Sequence, residues 1–200
     1  VVFSPDGSRI ATANGAGNNI GWTSIWDAET GDKLMTTPQE VAYSRSVSFS
    51  PDGTRIVTCG DDRKAKIWDA HTGNKLLTLY GHTDNVNNAK FSPDGTRLVT
   101  VSWDRQIKVW DASTGQELFT LVGHNGVIRS IAFSPDGQQI VTASDDKTVK
   151  VWNFSPSREF LTVVNGPAIL SPSGAKLAYS KDSARLASAN ADPRPNNRLQ

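Results

Sequence analysis

The chain has 200 residues, enough for one large domain or two small ones. Hydrophobic residues make up 37% of it, which is enough for a sizeable core and excludes a disordered or fibrous protein. Lysine and arginine number 21 against 20 aspartates and glutamates, and no long block of one sign occurs. We therefore expect no nucleic-acid partner and no binding to a membrane surface.

The only cysteine, Cys59, cannot form a disulfide within the chain. Apolar runs are a few residues long, far below the roughly 20 that a membrane-spanning helix requires. The sequence begins at Val1 without the basic and apolar segments of a secretory signal. These features predict a soluble, cytoplasmic protein. Either a signal was removed or the sequence is part of a longer chain.

One pentapeptide, FSPDG, occurs four times, and its proline advances by 46, 42 and 42 residues from one copy to the next. A tryptophan follows each copy at a constant step of 42 residues. A period of ~40 to 45 residues is typical of repeats that each form one blade of a propeller. The copies begin at Phe3, Phe49, Phe91 and Phe133, and the tryptophans are Trp26, Trp68, Trp110 and Trp152.

Within a unit the pattern indicates strands and turns throughout, as the third unit shows. Residues 98–102 and 106–110 are rich in alternating β-branched side chains, and the polar tripeptide 103–105 predicts a tight turn between them. SPDG before this hairpin has the proline and glycine of a turn. DASTG at 111–115 supplies an aspartate that accepts backbone hydrogen bonds and a glycine that tolerates positive φ. Each unit is therefore predicted to be a four-stranded antiparallel sheet.

Such a sheet is apolar on both faces, because Ile107 and Val109 point to one side and Trp110 to the other. One sheet cannot bury both faces alone, and radial stacking against copies of itself solves this problem. The predicted fold class is all-β: an arc of four-stranded antiparallel blades.

The units resemble those of the WD-repeat β-propeller family over about residues 1–164. Three of the four tryptophans precede aspartate, and a Gly-His dipeptide stands 28 residues before the tryptophan in two units, at Gly81-His82 and Gly123-His124. The resemblance implies a buried hydrogen-bonded network of four side chains in each of these units. The implied networks are His82, Thr100, Asp104 and Trp110, and His124, Thr142, Asp146 and Trp152.

Two units depart from this pattern. The second has Glu40 where the histidine belongs, so its network is expected to be incomplete. The first has Ile20 in the place of the turn aspartate, and its turn at 14–21 is four residues longer. We expect an enlarged hairpin loop and a looser corner there. The network members that remain are Thr58, Asp62 and Trp68 in the second unit and Thr12 and Trp26 in the first.

After residue 164 the period weakens, and residues 179–190 align best with 3–14. Propellers close with about four to eight blades, and the resembled family usually has about seven. We expect an incomplete ring from a longer protein, with open blade faces that favour self-association. The predicted propeller segment is 1–190, with blades at about 1–42, 43–84, 85–126 and 127–164, a degenerate partial blade at 165–190, and a tail or linker at 191–200.

No segment predicts catalysis, a cofactor or a metal site. The glycines of 14–21 are spaced GxGxxxG, and neither a P-loop lysine nor a helix follows, so they do not predict nucleotide binding. His82 and His124 belong to different units and His71 to a solvent-facing turn, so a shared metal site is not expected. The Thr-His-Asp arrangement occurs twice, which favours a structural role over nucleophilic catalysis. We expect no enzyme activity.

Binding is the remaining function class, and the loops at the end of a propeller are suited to it. The resemblance places the rim where the first strand enters each blade and at the residue before the turn aspartate. An exposed tryptophan beside arginine is typical of interface hot spots, which favours Trp103. Alternatively, its ring lies flat on a neighbouring loop and stabilises the fold alone. The partner-binding candidates are Trp103, Arg45, Asn87, Arg129, Asp61 and Asp145.

The sequence therefore predicts a non-catalytic interaction scaffold that binds a protein or peptide on the loop rim, as a segment of a larger regulatory or signalling protein. The alternative is the propeller region of an enzyme-linked chain, such as a kinase or peptidase, whose catalytic domain lies outside this sequence. A periplasmic or peptidase-associated propeller ranks last, because those lack the paired Gly-His and Trp-Asp motifs.

Overall fold

A computed structural model describes residues 1–16, 20–41 and 43–153, together with the backbone of three later strands. Every regular element in this part of the chain is a β-strand, and it contains no helix that could cross a membrane. The strands are β1 (Val2–Phe3), β2 (Arg9–Ala16), β3 (Ile20–Asp27), β4 (Lys33–Thr36), β5 (Glu40–Val41), β6 (Ser44–Phe49), β7 (Arg55–Gly60), β8 (Ala65–Asp69), β9 (Lys75–Leu79), β10 (Val86–Phe91), β11 (Arg97–Ser102), β12 (Gln106–Asp111), β13 (Glu117–Val122), β14 (Ile128–Phe133), β15 (Gln139–Ser144), β16 (Thr148–Asn153), β17 (Val163–Pro167), β18 (Lys176–Tyr179) and β19 (Leu186–Ala189).

The strands pair with their neighbours in the chain to form successive antiparallel sheets. Sheet 1 comprises β1 to β4 with β5 against β3, sheet 2 comprises β6 to β9, sheet 3 comprises β10 to β13 and sheet 4 comprises β14 to β17. The last two strands, β18 and β19, form a two-stranded sheet. The predicted all-β fold of four-stranded antiparallel blades is confirmed.

The repeated motifs form the turns that reverse the chain. In FSPDG of sheet 3, the Ser92 hydroxyl donates to Asp94 at 2.5 Å and accepts the Arg97 backbone N–H at 2.9 Å. Gly95 has a φ of 70°, a left-handed conformation that glycine adopts without steric cost. In the later turn, Asp111 accepts the backbone N–H groups of Ser113 and Thr114. Both turns therefore work as the sequence predicts.

The hydrophobic core lies between the sheets. Trp110 packs into a cluster with side chains of sheet 2, including Val57 and Ile67. Ile107 and Val109, on the opposite face of the same strand, pack into a different cluster with sheet 4. The prediction that one blade is apolar on both faces is therefore confirmed, and a third cluster joins sheets 1 and 2 in the same way.

Arginine side chains link neighbouring sheets at their turns. Arg9 of sheet 1 donates to the Gly53 carbonyl of sheet 2 at 2.7 Å, and its guanidinium lies 5.4 Å from the Phe49 ring centroid. Arg55 of sheet 2 makes the equivalent contacts with sheet 3: it donates to the Ala112 carbonyl at 2.7 Å and lies 5.2 Å from the Phe91 ring. These contacts cover both phenylalanines, which are 7% exposed. Phe3, at the same position in sheet 1, is 61% exposed.

The prediction of an enlarged loop at 14–21 is wrong for most of these residues. Strands β2 and β3 extend into it, with Gly15 paired to Gly21 and Ala16 to Ile20, and residues 17–19 lie outside the described part. Strand β5 pairs with the far side of β3, which satisfies further backbone groups. A Cβ at Gly15 would lie 2.5 Å from the Tyr43 side chain, so the glycine permits this packing. The additional residues lengthen the hairpin.

The degenerate unit near the C-terminus has a strand pairing like that of the first unit. Tyr179 pairs with Leu186 across β18 and β19, in the register of Phe3 with Ile10. This register matches the alignment of residues 179–190 with 3–14. The predicted tail at 191–200 lies outside the described residues.

The arginine links generate a stability prediction. Replacing Arg55 with alanine removes a charged donor from two carbonyls of sheet 3 and uncovers Phe91. We expect the free energy of unfolding, measured by chemical denaturation, to fall by about 1.5–3 kcal/mol. Arg105→Ala, at an exposed turn position, is the control and is expected to change it by less than about 0.5 kcal/mol. Equal effects of the two substitutions would contradict the assignment.

Candidate functional site

Three hairpin turns and the loops before the first strands meet at one edge of the sheets. In sheet 3, the Trp103 backbone N–H at the β11–β12 turn donates to the Asn85 carbonyl before β10 at 2.9 Å. The Asp145 N–H donates to the Val127 carbonyl in sheet 4 at the same distance. These bonds bring the residue before each turn aspartate next to the start of the first strand. We call this edge the rim.

Trp103 is held on the rim by side chains from three sheets. Its indole N–H donates to the Asn87 side-chain oxygen at 2.7 Å. The guanidinium of Arg45, from sheet 2, lies 4.8 Å from a Trp103 ring centroid, and that of Arg129, from sheet 4, lies 5.5 Å away. Arginine near an aromatic face is attracted by the ring quadrupole. The indole is consequently fixed in a half-buried position.

Each of these arginines also has an acidic partner. Arg45 bonds to Asp61, and Arg129 bonds to Asp145 through Nη2 at 2.5 Å and through Nε at 2.9 Å. Hydrogen bonding to Asp145 raises the pKa of Arg129. The two carboxylates offset the repulsion between two cations that share one ring. The four charged side chains remain 26–40% exposed.

The structure thus brings all six predicted partner-binding residues into one row across three sheets. Asn87 completes it by donating to the Ile128 carbonyl of sheet 4 at 2.8 Å. We name this row the rim cluster. It comprises Asp61, Arg45, Trp103, Asn87, Arg129 and Asp145.

The four side chains implied for the third unit form a hydrogen-bonded chain below the rim. His82 Nδ1 lies 2.7 Å from Asp104 Oδ2, and His82 Nε2 lies 2.7 Å from Thr100 Oγ1. The Trp110 indole N–H donates to the same Thr100 oxygen at 2.9 Å. Because the indole can only donate, Thr100 can give its own proton to His82 Nε2. In this arrangement His82 Nδ1–H donates to the Asp104 carboxylate.

The fourth unit repeats this arrangement. His124 lies 2.8 Å from both Asp146 and Thr142, and the Trp152 indole donates to Thr142 at 2.9 Å. Burial lowers the pKa of His124 despite the neighbouring carboxylate. Burial opposes ionisation of Asp146, but hydrogen bonds from Thr148 and His124 outweigh it and hold its pKa below the usual range. The network therefore pairs a neutral imidazole with an ionised carboxylate.

Glycine precedes each of these histidines for a steric reason. A Cβ at Gly81 would lie 3.1 Å from the Trp110 ring, and one at Gly123 would lie 3.1 Å from the Trp152 ring. Both contacts are tighter than side chains normally make. The Gly-His dipeptide therefore fits over the tryptophan that its own network holds.

In the second unit, the turn aspartate Asp62 has a lysine partner in place of a histidine. The Trp68 indole still donates to Thr58 at 2.8 Å, but Asp62 pairs with Lys66 at 2.6 Å. The equivalent lysine of the third unit, Lys108, bonds to Glu117 instead, at 2.9 Å. In the second unit, Lys75 stands at the position of Glu117, so a cation replaces the acidic partner there. Sequence reasoning missed this exchange, although the charge reversal from Glu117 to Lys75 signalled it.

The first unit keeps a shorter network. Its Trp26 indole donates to Thr12 at 3.0 Å, and the Asn14 side chain donates to the same hydroxyl at 3.1 Å. Within the described ranges, no group of three histidine, cysteine or acidic side chains could hold a metal ion. His71 lies in an exposed turn, apart from the two network histidines.

The network in the third unit predicts a stability effect. Asp104→Ala leaves His82 Nδ1 and the backbone N–H groups of Thr83 and Gln106 without their acceptor. We expect the free energy of unfolding to fall by about 1–3 kcal/mol. Asp84→Ala, at an exposed position on the same rim, is the control. Unchanged thermal stability with lost partner binding would mean that Asp104 has a functional role instead.

The network in the fourth unit predicts a pH dependence. His124 has a folded pKa below the usual 6.5, so the unfolded chain takes up its proton first and stability falls as the pH drops below about 6.5. Asp146 has a folded pKa below 3.8, so its contribution is lost only at lower pH, as the carboxylate protonates in the fold. We expect His124→Gln to flatten melting temperature against pH between 7 and 5, and exposed His71→Gln to leave the slope unchanged. The same slope in both variants would contradict this assignment.

Comparison with known proteins supports the repeat assignment. The family described as WD domain, G-beta repeat matches residues 36–69, 73–111 and 115–153, more than half of the chain. WD repeat-containing protein 1 of Mus musculus is 35% identical over 69 residues, which are 33% of this chain and 11% of that protein. Its counterpart in Bos taurus matches with the same identity and coverage. An uncharacterized WD repeat-containing protein of Synechocystis sp. is 35% identical over 58 residues, 29% of this chain and 16% of that protein.

The matched segments therefore span a small part of each relative's length. The recurring FSPDG and Trp-Asp motifs, the four-stranded antiparallel sheets and the match to the repeat family agree with one another. The chain belongs to the WD-repeat family.

Proposed function

We propose that this chain is a non-catalytic interaction scaffold that binds a protein or peptide partner through the rim cluster. WD repeats generally serve as platforms for protein interaction. The proposal adds the location of the contact, at Trp103, and the role of a segment within a larger regulatory or signalling protein of the cytoplasm. Self-association through the sheet face that carries exposed Phe3 is a secondary part of the proposal.

The observation that carries the proposal is the way Trp103 is held. The indole hydrogen bond to Asn87 and the two guanidinium groups fix the ring before any partner arrives. A fixed aromatic side chain loses little conformational entropy on binding, so more of its contact energy contributes to affinity. Arginine and tryptophan are also the residues that most often dominate interface energies.

The sheets beneath the cluster keep it rigid. Arg45, Trp103 and Arg129 come from three different sheets, which pack against one another through apolar side chains. Their relative positions therefore depend on the core and not on the flexibility of one loop. A partner meets a surface with one aromatic ring between two compensated ion pairs.

The proposal predicts that Trp103→Ala loses the partner while the fold survives. With the complete protein as bait, we expect recovery of its main partner to fall at least about tenfold, and the melting temperature to change by only a few degrees. Leu118→Ala, 45% exposed on the outer strand of the same sheet, is the matched control and is expected to retain the partner.

Trp103→Phe separates the alternatives further, because it keeps a ring between the arginines and removes the bond to Asn87. Intermediate recovery with an unchanged melting temperature supports an interface role. Full recovery with Trp103→Ala, with or without a loss of stability, would assign Trp103 to the fold alone.

A further inference from the structure

An open depression of about 390 Å³ lies beside the rim cluster. One side is formed by the β7–β8 turn, which supplies Arg63 and Lys64. The other side is formed by the segment after β9, which supplies Tyr80. The exposed fraction of Tyr80 is 68%, and the Lys64 ammonium lies 5.3 Å from its ring centroid. The depression therefore combines two cations with an aromatic wall.

The carboxylates that line this depression already have cationic partners outside it. Asp61 bonds to Arg45 of the rim cluster, and Asp62 pairs with Lys66 at 2.6 Å. In the described part of the chain, no carboxylate forms an ion pair with Arg63 or Lys64. The uncompensated charge of the depression is consequently positive.

Arg63 occupies its position at a conformational cost. Its φ is 64°, and a left-handed backbone costs a residue other than glycine roughly 1–2 kcal/mol. The side chain is exposed, so burial does not offset this cost. The same conformation recurs at this turn position in the next two units, so it belongs to the repeated turn and sets the backbone direction of Arg63 beside the depression.

The neighbouring repeats provide an internal comparison. Arg105 and Lys147 occupy the same turn position with φ values of 67° and 66°. At the next position, however, the third unit has Gln106 where the second has Lys64, and Val122 stands where the second unit has Tyr80. The junction between sheets 2 and 3 therefore has a second cation and an aromatic ring that the next junction lacks.

We propose that the depression binds an aspartate or glutamate side chain of the peptide partner that occupies the rim. This inference rests on the proposed scaffold function, because it names the chemistry of the same partner. The Arg63 guanidinium matches a carboxylate with two parallel hydrogen bonds, and the Lys64 ammonium adds a third donor. Tyr80 provides an apolar wall for the aliphatic part of the acidic side chain.

A monovalent carboxylate fits this depression better than a divalent phosphate. The wall retains Asp61 and Asp62, whose charges are compensated by ion pairs but still lie beside the ligand. A second negative charge on the ligand would increase repulsion from both. Asp61 also connects the depression to Trp103 through Arg45, so one extended peptide can reach both.

The test uses the full 200-residue chain and three fluorescein-labelled hexapeptides. They are Gly-Ser-Glu-Glu-Ser-Gly, its glutamine counterpart, and a counterpart with phosphoserine in place of both glutamates. By fluorescence anisotropy, we expect saturable binding of the glutamate peptide that weakens as salt is added. Binding of the glutamine peptide is expected to be at least about tenfold weaker, and the phosphoserine peptide is expected to bind no more tightly than the glutamate peptide.

Single substitutions test whether Arg63 and Lys64 bind the glutamate peptide. Arg63→Gln and Lys64→Gln are each expected to weaken binding of the glutamate peptide at least about fivefold, and Arg105→Gln, at the matched turn of the next unit, is expected to leave it unchanged. Trp103→Ala is expected to retain this short peptide, so failure of the rim-cluster proposal is distinguishable from failure of this one. Equal binding of the glutamate and glutamine peptides, equal effects of Arg63→Gln and Arg105→Gln, or tighter binding of the phosphoserine peptide would overturn the carboxylate assignment.

Discussion

The fold depends on apolar contact between sheets that cannot bury their own faces. Each central strand alternates its side chains, so Trp110 faces one neighbouring sheet while Ile107 and Val109 face the other. Burying a large apolar side chain is worth roughly 1.5–3 kcal/mol, and every sheet interface contains several. Each sheet buries an apolar face of its neighbours and has its own faces buried by them, so the units stabilise one another in series. Polar side chains connect the turns and loops at the two edges of the sheets.

At one edge, serine, aspartate and arginine connect consecutive turns. At the other edge, the His-Asp networks and the rim cluster connect the turns and loops. Arg55 bonds across to the Ala112 carbonyl, and Arg129 reaches the Trp103 ring of the preceding sheet. The rim differs in one respect: its aromatic ring is fixed but half exposed. The same sheet stacking that forms the core thus positions the surface that we propose for binding.

Exact repetition made much of this structure predictable from the sequence. The period, the SPDG and DASTG turns and the two-faced alternation around Trp110 each have one simple structural solution. Side-chain exchanges specific to one unit were not predictable in the same way. Lys66 pairs with Asp62 because Lys75 stands where the next unit has Glu117, a contact that becomes visible only when three strands are aligned. The extension of β2 and β3 depends on the later strand β5, which no local pattern near Gly15 indicates. The rim residues were predicted one by one from the repeats. The row that they form depends on the angle at which neighbouring sheets pack, and the sequence does not give that angle.

Native-state hydrogen exchange of Ile107→Ala tests the dependence of each sheet on its neighbour most directly. Ile107 is fully buried between sheets 3 and 4, and its truncation should cost about 2–5 kcal/mol. If the sheets stabilise one another in series, amide protection falls in β12 and also in β14 and β15 of the adjoining sheet. Loss of protection confined to sheet 3 would show that the sheets are stable independently, and would contradict this account.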